Sequence, residues 1–198
     1  MEPLNNEVLV IILAIVTYFF AAIPFGLIFT KILGLGDVRN IGSGNIGATN
    51  VLRTGNKKAA VLTLIFDVLK GALAVLIARK LIPGHEYGIG FLAIFAHIFP
   101  VYLKFKGGKG VATALGVYFA WTPILGLAVL CTWLISAKIF RISSLSALIA
   151  ATFAPFFAYF LKIDSLIVPF SALISATLFY THRDNIRRLL KKQESLIS

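Results

Sequence analysis

At 198 residues the chain has the length of one domain, yet 59% of it is hydrophobic and its mean hydropathy is +0.91, well beyond the roughly half-apolar composition of soluble domains. Such a chain cannot cover itself with polar surface. Its long, continuous apolar runs exclude the period-two alternation of a transmembrane barrel, so the expected fold class is an all-α integral membrane protein, with residues 1–198 as a single domain.

The formal charge of +11 would point to nucleic acid in a soluble protein. In so apolar a chain it points to topology and anionic partners instead, because basic short loops mark the cytoplasmic side and attract membrane lipid headgroups. No nucleic-acid partner is expected.

The start, residues 1–7, carries two glutamates and no Lys or Arg, and the apolar run at 8–33 is longer than the core of a signal peptide. It is expected to stay as a first span. Further runs cover 59–82, 87–103, 111–137, 144–161 and 166–180. The run at 111–137 contains Trp121-Thr122-Pro123, where proline removes a backbone donor and an aromatic suits a membrane interface. It therefore reads either as one long span or as two short ones, 111–120 and 122–137.

Charge separates the two counts. With seven spans and the N-terminus outside, fifteen of the nineteen basic residues fall on the cytoplasmic side, and only Arg79, Lys80 and Lys162 stay outside, with Lys70 inside a span. Six spans would send part of the basic loops outward, so a seven-transmembrane-helix bundle with a cytoplasmic C-terminus fits the positive-inside rule better. The tail after Tyr180 reads as a short amphipathic cytoplasmic helix. The lone Cys131 lies in an apolar run and reads as a small packing residue, and no Cys/His cluster has metal-ligand spacing.

The first polar loop, at 42–53, reads Gly-Ser-Gly-Asn-Ile-Gly-Ala-Thr-Asn-Val-Leu-Arg. Its opening resembles a dinucleotide fingerprint but follows a membrane span instead of a strand, so the match is accidental. Its composition still suits an anion: glycines let N–H groups approach closely, Ser43, Asn45, Thr49 and Asn50 offer hydrogen bonds, and Arg53 offers a fork for phosphate. The bland alternative is a flexible re-entrant loop.

The second loop, Lys104-Phe105-Lys106-Gly107-Gly108-Lys109-Gly110, enters a helix at Val111. Paired glycines and a lysine before a helix start predict an anion site built from exposed N–H groups and the helix dipole. It is not a Walker loop, since Gly110 stands where Ser or Thr should follow the lysine. Ser143 opens the next span, where it either caps the helix, the commoner use, or meets a phosphate oxygen. His182 and Asn185 share one face of the tail helix and can point together into the bundle mouth. Asp67 and Lys70, three apart within a span, are expected to pair and support the site. His97 reads as a hydrogen-bonded packing residue.

Three stretches carry a resemblance: residues 42–53, His97-Ile98-Phe99-Pro100 running into Phe105-Lys106-Gly107-Gly108-Lys109-Gly110, and His182-Arg183-Asp184-Asn185-Ile186, with Asp67-Val68-Leu69-Lys70-Gly71 beside them. In order along the whole chain, they resemble the motifs of the bacterial acyl-phosphate:glycerol-3-phosphate acyltransferase family. One departure is that Lys192 stands where the family usually has glycine, while the following Glu194 remains.

The resemblance implies transfer of a fatty acyl group from fatty acyl phosphate to glycerol 3-phosphate, giving lysophosphatidic acid and phosphate. It implies that Arg53, Lys109, His182 and Asn185 bind phosphate, with Ser43 near the reacting carbonyl. Asn45, Thr49, Asn50, Lys104, Gly107, Gly108 and Ser143 complete the expected substrate contacts. No metal or cofactor is expected, and the protein is expected to be a monomer in the bacterial cytoplasmic (inner) membrane with its site facing the cytoplasm.

A separate check agrees: five residues after His85, His97 and His182 stand Gly90, Tyr102 and Arg187, so the His-x-x-x-x-Asp arrangement of other glycerol phosphate acyltransferases is absent. A phosphate or organic-anion transporter is the rival reading, favoured by Asp67, Lys70 and the divided 111–137 run. Phosphate-type loops confined to one face argue against it. A noncatalytic lipid-binding scaffold leaves three convergent polar loops unexplained.

Overall fold

The computed structural model describes residues 6–162 and 164–197, so the acidic start at 1–5 lies outside the described residues. Among the described residues all regular structure is helical. The first apolar run is divided into α1 (Asn6–Ala21) and α2 (Phe25–Ile32), because Pro24 has no N–H to give and disfavours helical backbone in the residue before it. A short helix, α3 (Ala48–Leu52), interrupts the first polar loop. The long α4 (Lys57–Leu81) follows, its start capped by the Asn56 side chain, which accepts from the Ala59 N–H at 2.9 Å.

Next come α5 (Glu86–Ile98), α6 (Val111–Trp121) and α7 (Pro123–Phe140). The break between α6 and α7 falls at Thr122, which is extended (φ −159°, ψ 130°) before a proline at the first position of α7. The 111–137 run is thus two helices. The chain closes with α8 (Ser143–Leu161), α9 (Ile167–Thr181) and the strongly amphipathic α10 (Arg183–Leu190).

Among the described residues, five stretches are long and apolar enough to cross a membrane: Asn6–Ile32, Lys57–Leu81, Glu86–Leu103, Pro123–Phe140 and Ser143–Leu161. Helices α6 and α9 are apolar but shorter. The 11 residues of α6 reach about 16 Å, roughly half of a hydrocarbon core. Large apolar side chains such as Ile15, Phe156 and Phe160 lie exposed on the bundle's outside, the surface a lipid solvent accommodates and water does not. Cys131 belongs to that outer surface: it is exposed on α7, which corrects the expectation of a packing role.

Close backbone approach positions the middle of the bundle. A side chain on Gly71 of α4 would strike the Thr113 carbonyl, and one on Gly116 of α6 would strike the Val68 carbonyl. Without a hydrophobic force between helices in lipid, such small-residue crossings supply the contact. Around them a core of Val75, Ile94, Val117, Tyr118, Leu125 and Ile174 joins α4, α5, α6, α7 and α9. A second cluster, including Leu13, Ala21, Ala74, Ala93 and Ala96, ties α1 to α4 and α5.

The crossing gives a direct test. Gly116→Leu should lower the thermal unfolding midpoint in detergent, with an overpacking cost of about 1–3 kcal/mol, while Gly88→Leu, where nothing lies within 4 Å of an added Cβ, should leave it nearly unchanged.

Candidate active site

The first polar loop is organised by one side chain. Asn50, 2% exposed on α3, sends its amide nitrogen to the carbonyls of Val38, Ile41 and Asn45 at 2.9, 3.0 and 2.8 Å, and its oxygen accepts from the Ser43 N–H at 3.0 Å. Every polar atom of Asn50 is therefore used inside the loop, so its expected direct contact with substrate becomes a positioning role. Gly42 turns at φ +53°, and the space a Cβ would fill is taken by the side chains of Asn50 and Arg53. The loop thus closes over the arginine and leaves Ser43 at its rim. Gly26 of α2 lets the Ile46 carbonyl pack directly on its backbone.

The second loop is fixed from behind. Gly107 and Gly108 donate their N–H groups to the carbonyls of Ile98 and His97, at 3.0 and 3.1 Å, at the end of α5. Side chains at either position would collide, at Gly107 with the His97 and Ile98 carbonyls and at Gly108 with the His97 ring. This corrects the expectation that these two amides are exposed to an anion. The glycines bring the loop against α5, and the cation of the next residue, Lys109, is what the loop presents. Lys104 and Phe105 both turn through left-handed backbone (φ 51° and 62°), and the exposed Lys104 stands at the loop's outer edge.

Lys109 is half-buried and its ammonium donates to the Asn185 side-chain oxygen. Asn185, itself buried, donates to Glu194 at 2.6 Å, and the same carboxylate accepts from Arg188 at 2.6 Å and from Ser144 at 3.0 Å. Burial pushes the Lys109 pKa down to about 8, with the nearby Arg188 and Arg53 charges acting in the same direction against Glu194 and Asp184. Burial raises the Glu194 carboxyl, but its hydrogen bonds from Arg188, Asn185 and Ser144 outweigh this and leave it below the ordinary value.

Glu194 is the residue that sequence reasoning left without a part. Its signal was present: Lys192, at the position where glycine is usual, adopts φ +57°, the backbone that glycine favours. The turn that returns Glu194 to the site survives the substitution.

His182 is 2% exposed at the start of α10, where its Nδ1 lies 2.8 Å from the Leu178 carbonyl. That bond assigns the proton to Nδ1 and leaves Nε2 as an acceptor. Burial, reinforced by the Lys109 charge, lowers its pKa to about 4, so the ring is neutral near pH 7. Thr181 beside it donates to the Lys109 carbonyl at 3.1 Å. Ser143 does not cap α8; its hydroxyl meets that of Thr49 at 3.1 Å and joins the first loop to the α7–α8 turn.

These elements enclose a cleft of about 900 Å³ lined by Ser43, Asn45, Lys104, Gly107, Gly108 and Lys109, with Tyr180, Thr181, Arg183 and Asp184 on the far wall. The Arg53 guanidinium, among the described residues, has no hydrogen bond or ion pair, and its charge is felt at Lys109. Two cations lie near one another, and neither is in an ion pair among the described residues. Such an arrangement suits a bound phosphate.

The family model described as glycerol-3-phosphate acyltransferase matches residues 11–192. The chain belongs to the glycerol-3-phosphate acyltransferase family. Relatives bearing that name are 50% identical in Jannaschia sp. (strain CCS1), over 93% of this chain and 91% of the relative, and 52% identical in Brucella anthropi, over 91% and 89%. The fold is also that of a crystallised integral membrane glycerol 3-phosphate acyltransferase, PlsY (YgiH). Its glycerol 3-phosphate form superposes with a TM-score of 0.90 at 38% identity, covering 95% of each chain, and its lysophosphatidic acid form with 0.87 at 38% identity, covering 94% of each.

For this acyltransferase the lowered Lys109 pKa has a definite sign. The ammonium is present below about pH 8 and lost above it, so the rate at limiting acceptor should fall as pH rises through that range. In Lys109→Arg, whose cation persists to far higher pH, any remaining activity should lack that decline.

Proposed function

We propose that the protein transfers a fatty acyl group from an acyl phosphate to the 1-hydroxyl of glycerol 3-phosphate. The observation that carries this reading is the Lys109 ammonium at a cleft, with the Arg53 charge felt beside it and no histidine–carboxylate pair in the lining. His182 gives its Nδ1 proton to a backbone carbonyl, and His97 approaches Asp67 only behind Gly108.

An acyl phosphate is a mixed anhydride with a good leaving group, so catalysis is chiefly positioning and charge stabilisation. The acceptor's 1-hydroxyl oxygen attacks the acyl carbonyl carbon, an ester C–O bond forms, and the C–O bond to the departing phosphate breaks. The hydroxyl proton passes to a phosphate oxygen of the acceptor itself, and the products are lysophosphatidic acid and inorganic phosphate.

Arg53 and Lys109 hold the two phosphates and Ser43 lies by the carbonyl. The neutral Nε2 of His182 accepts from a hydroxyl or a protonated phosphate oxygen. Asn185 holds the Lys109 ammonium, while Lys104, Asn45 and the Thr49–Ser143 pair frame the cleft. Gly107 and Gly108 line it, Asn50 holds the first loop, and the acyl chain lies between helices toward the bilayer.

The whole chain acts as one unit and as a monomer in the bacterial inner membrane. It crosses the membrane seven times: by the α1–α2 run, α4, α5, α6, α7, α8 and α9. The N-terminus is outside, and the loops of the cleft and the tail are cytoplasmic. A transporter reading gains nothing from Asp67 and Lys70, which are paired at 2.8 Å and enclosed.

Incubating the purified protein with palmitoyl phosphate and glycerol 3-phosphate should release lysophosphatidate and phosphate in equal amounts, while palmitoyl-CoA is ignored. Glycerol should fail as acceptor even at high concentration, and its efficient acylation would rule out proton transfer to the acceptor phosphate. For topology, Thr122→Cys in intact cells should react with an impermeant maleimide from the outer side, and labelling only from the cytoplasm would return the count to six.

A further inference from the structure

An aspartate, a lysine and a histidine are buried in the bundle outside the cleft and have no part in the chemistry above. Asp67 and Lys70 on α4 are 2% and 1% exposed, and His97 near the end of α5 is 5% exposed. Lys70 Nζ lies 2.8 Å from Asp67 Oδ1 and donates to the Ile23 carbonyl at 3.1 Å, within the break between α1 and α2. On the other side His97 Nδ1 stands 3.6 Å from the same Asp67 oxygen.

The His97 ring then meets the second loop. The three nearest atoms that a Cβ on Gly108 would encounter all belong to this ring, and Gly108 has no positive φ, so the ring, and not backbone strain, is what excludes a side chain there. The loop is tied at the same place by the Gly108 N–H to the His97 carbonyl. Lys109 is the next residue.

A single contact chain thus runs from the α1–α2 break through Lys70, Asp67 and His97 to the loop presenting Lys109. Resting on the family reading and on the role given to Lys109 above, we propose that Asp67, Lys70 and His97 are positioning residues that set the Lys109 loop for acyl transfer. Ion pairs in apolar surroundings contribute little net stability relative to well-packed apolar residues of similar size. What this pair supplies instead is a defined direction. The carboxylate, held by Lys70, faces the imidazole at 3.6 Å, a charge contact longer than a hydrogen bond, and the imidazole supports the backbone one residue before the cation.

Two measurements separate positioning from simple support of the fold. Asp67→Leu/Lys70→Met removes both charges at similar volume. The purified variant should keep an unfolding midpoint close to wild type and lose at least ~10-fold in kcat/KM for glycerol 3-phosphate, as expected when a binding group is misplaced. A wild-type kcat/KM in this folded variant overturns the proposal.

The second is a cycle at the ring contact. Gly108→Ala should lose activity through collision with His97, and His97→Ala/Gly108→Ala should recover part of it, whereas additive losses would count against the contact. A further reading needs no turnover: the rate at which an amine reagent modifies Lys109, followed by peptide mass spectrometry, should change several-fold in Asp67→Leu/Lys70→Met while that of the exposed Lys57 does not. An unchanged Lys109 rate also overturns the proposal. Because this readout is independent of substrate, an inactive wild-type protein would reject the proposed reaction without deciding the positioning role.

Discussion

Inside a bilayer no water is at hand for a backbone carbonyl that a helix has released, and this constraint shapes each break in the bundle. The Ile23 carbonyl, at the Pro24 break, accepts from Lys70 at 3.1 Å and from the Phe25 N–H at 3.2 Å. The Trp121 carbonyl, freed at the Thr122–Pro123 break, is taken by Arg79 at 3.2 Å. At the end of α5 the carbonyls of His97, Ile98 and Phe99 accept from Gly108, Gly107 and the Tyr18 hydroxyl. The last of these joins the functional loop to the frame, so satisfying a helix end and positioning Lys109 are one structural act.

The two polar loops are built by different means. The first depends on Asn50, whose amide spans a carbonyl set that no ladder or helix serves, while Gly42 supplies the left-handed turn that admits Arg53. The second depends on absent side chains, since Gly107 and Gly108 work by allowing contact. Of the carboxylates near Lys109, Asp184 on the cleft wall pairs with Arg187 at 3.1 Å, and Glu194 is held by Asn185, Arg188 and Ser144. A carboxylate held in that way restrains Lys109 through Asn185 without neutralising it directly.

The tail carries more of the site than its position in the chain implies. α10 exposes Arg183 and Arg187 and buries Asn185, so its amphipathic pattern serves the outer surface of the protein and the site at once. Beyond it Ile197 donates its N–H to the Arg141 carbonyl at 2.7 Å, which lays the terminal segment along the α7–α8 turn beside Ser143 and Ser144.

Membrane character, helical class, the break at Pro123 and the three polar segments were legible in the chain, because apolar run length and proline chemistry act locally, whereas the 8–33 run was read as one span and its division at Pro24 came from the fold. So was the pairing of Asp67 with Lys70, since three residues is one helical turn. The division of labour within the polar segments was not legible. Asn50 and Arg53 sit three residues apart with equally suitable chemistry, and only the fold spends one on its own loop and leaves the other without a partner. Gly107 and Gly108 look like amides offered to an anion until α5 is placed beneath them. Glu194 gains its part only when the Lys192 turn brings it back to Asn185 and Ser144, 9 and 50 residues away. A hydrogen bond is decided by which groups meet, and across such separations that is settled by packing.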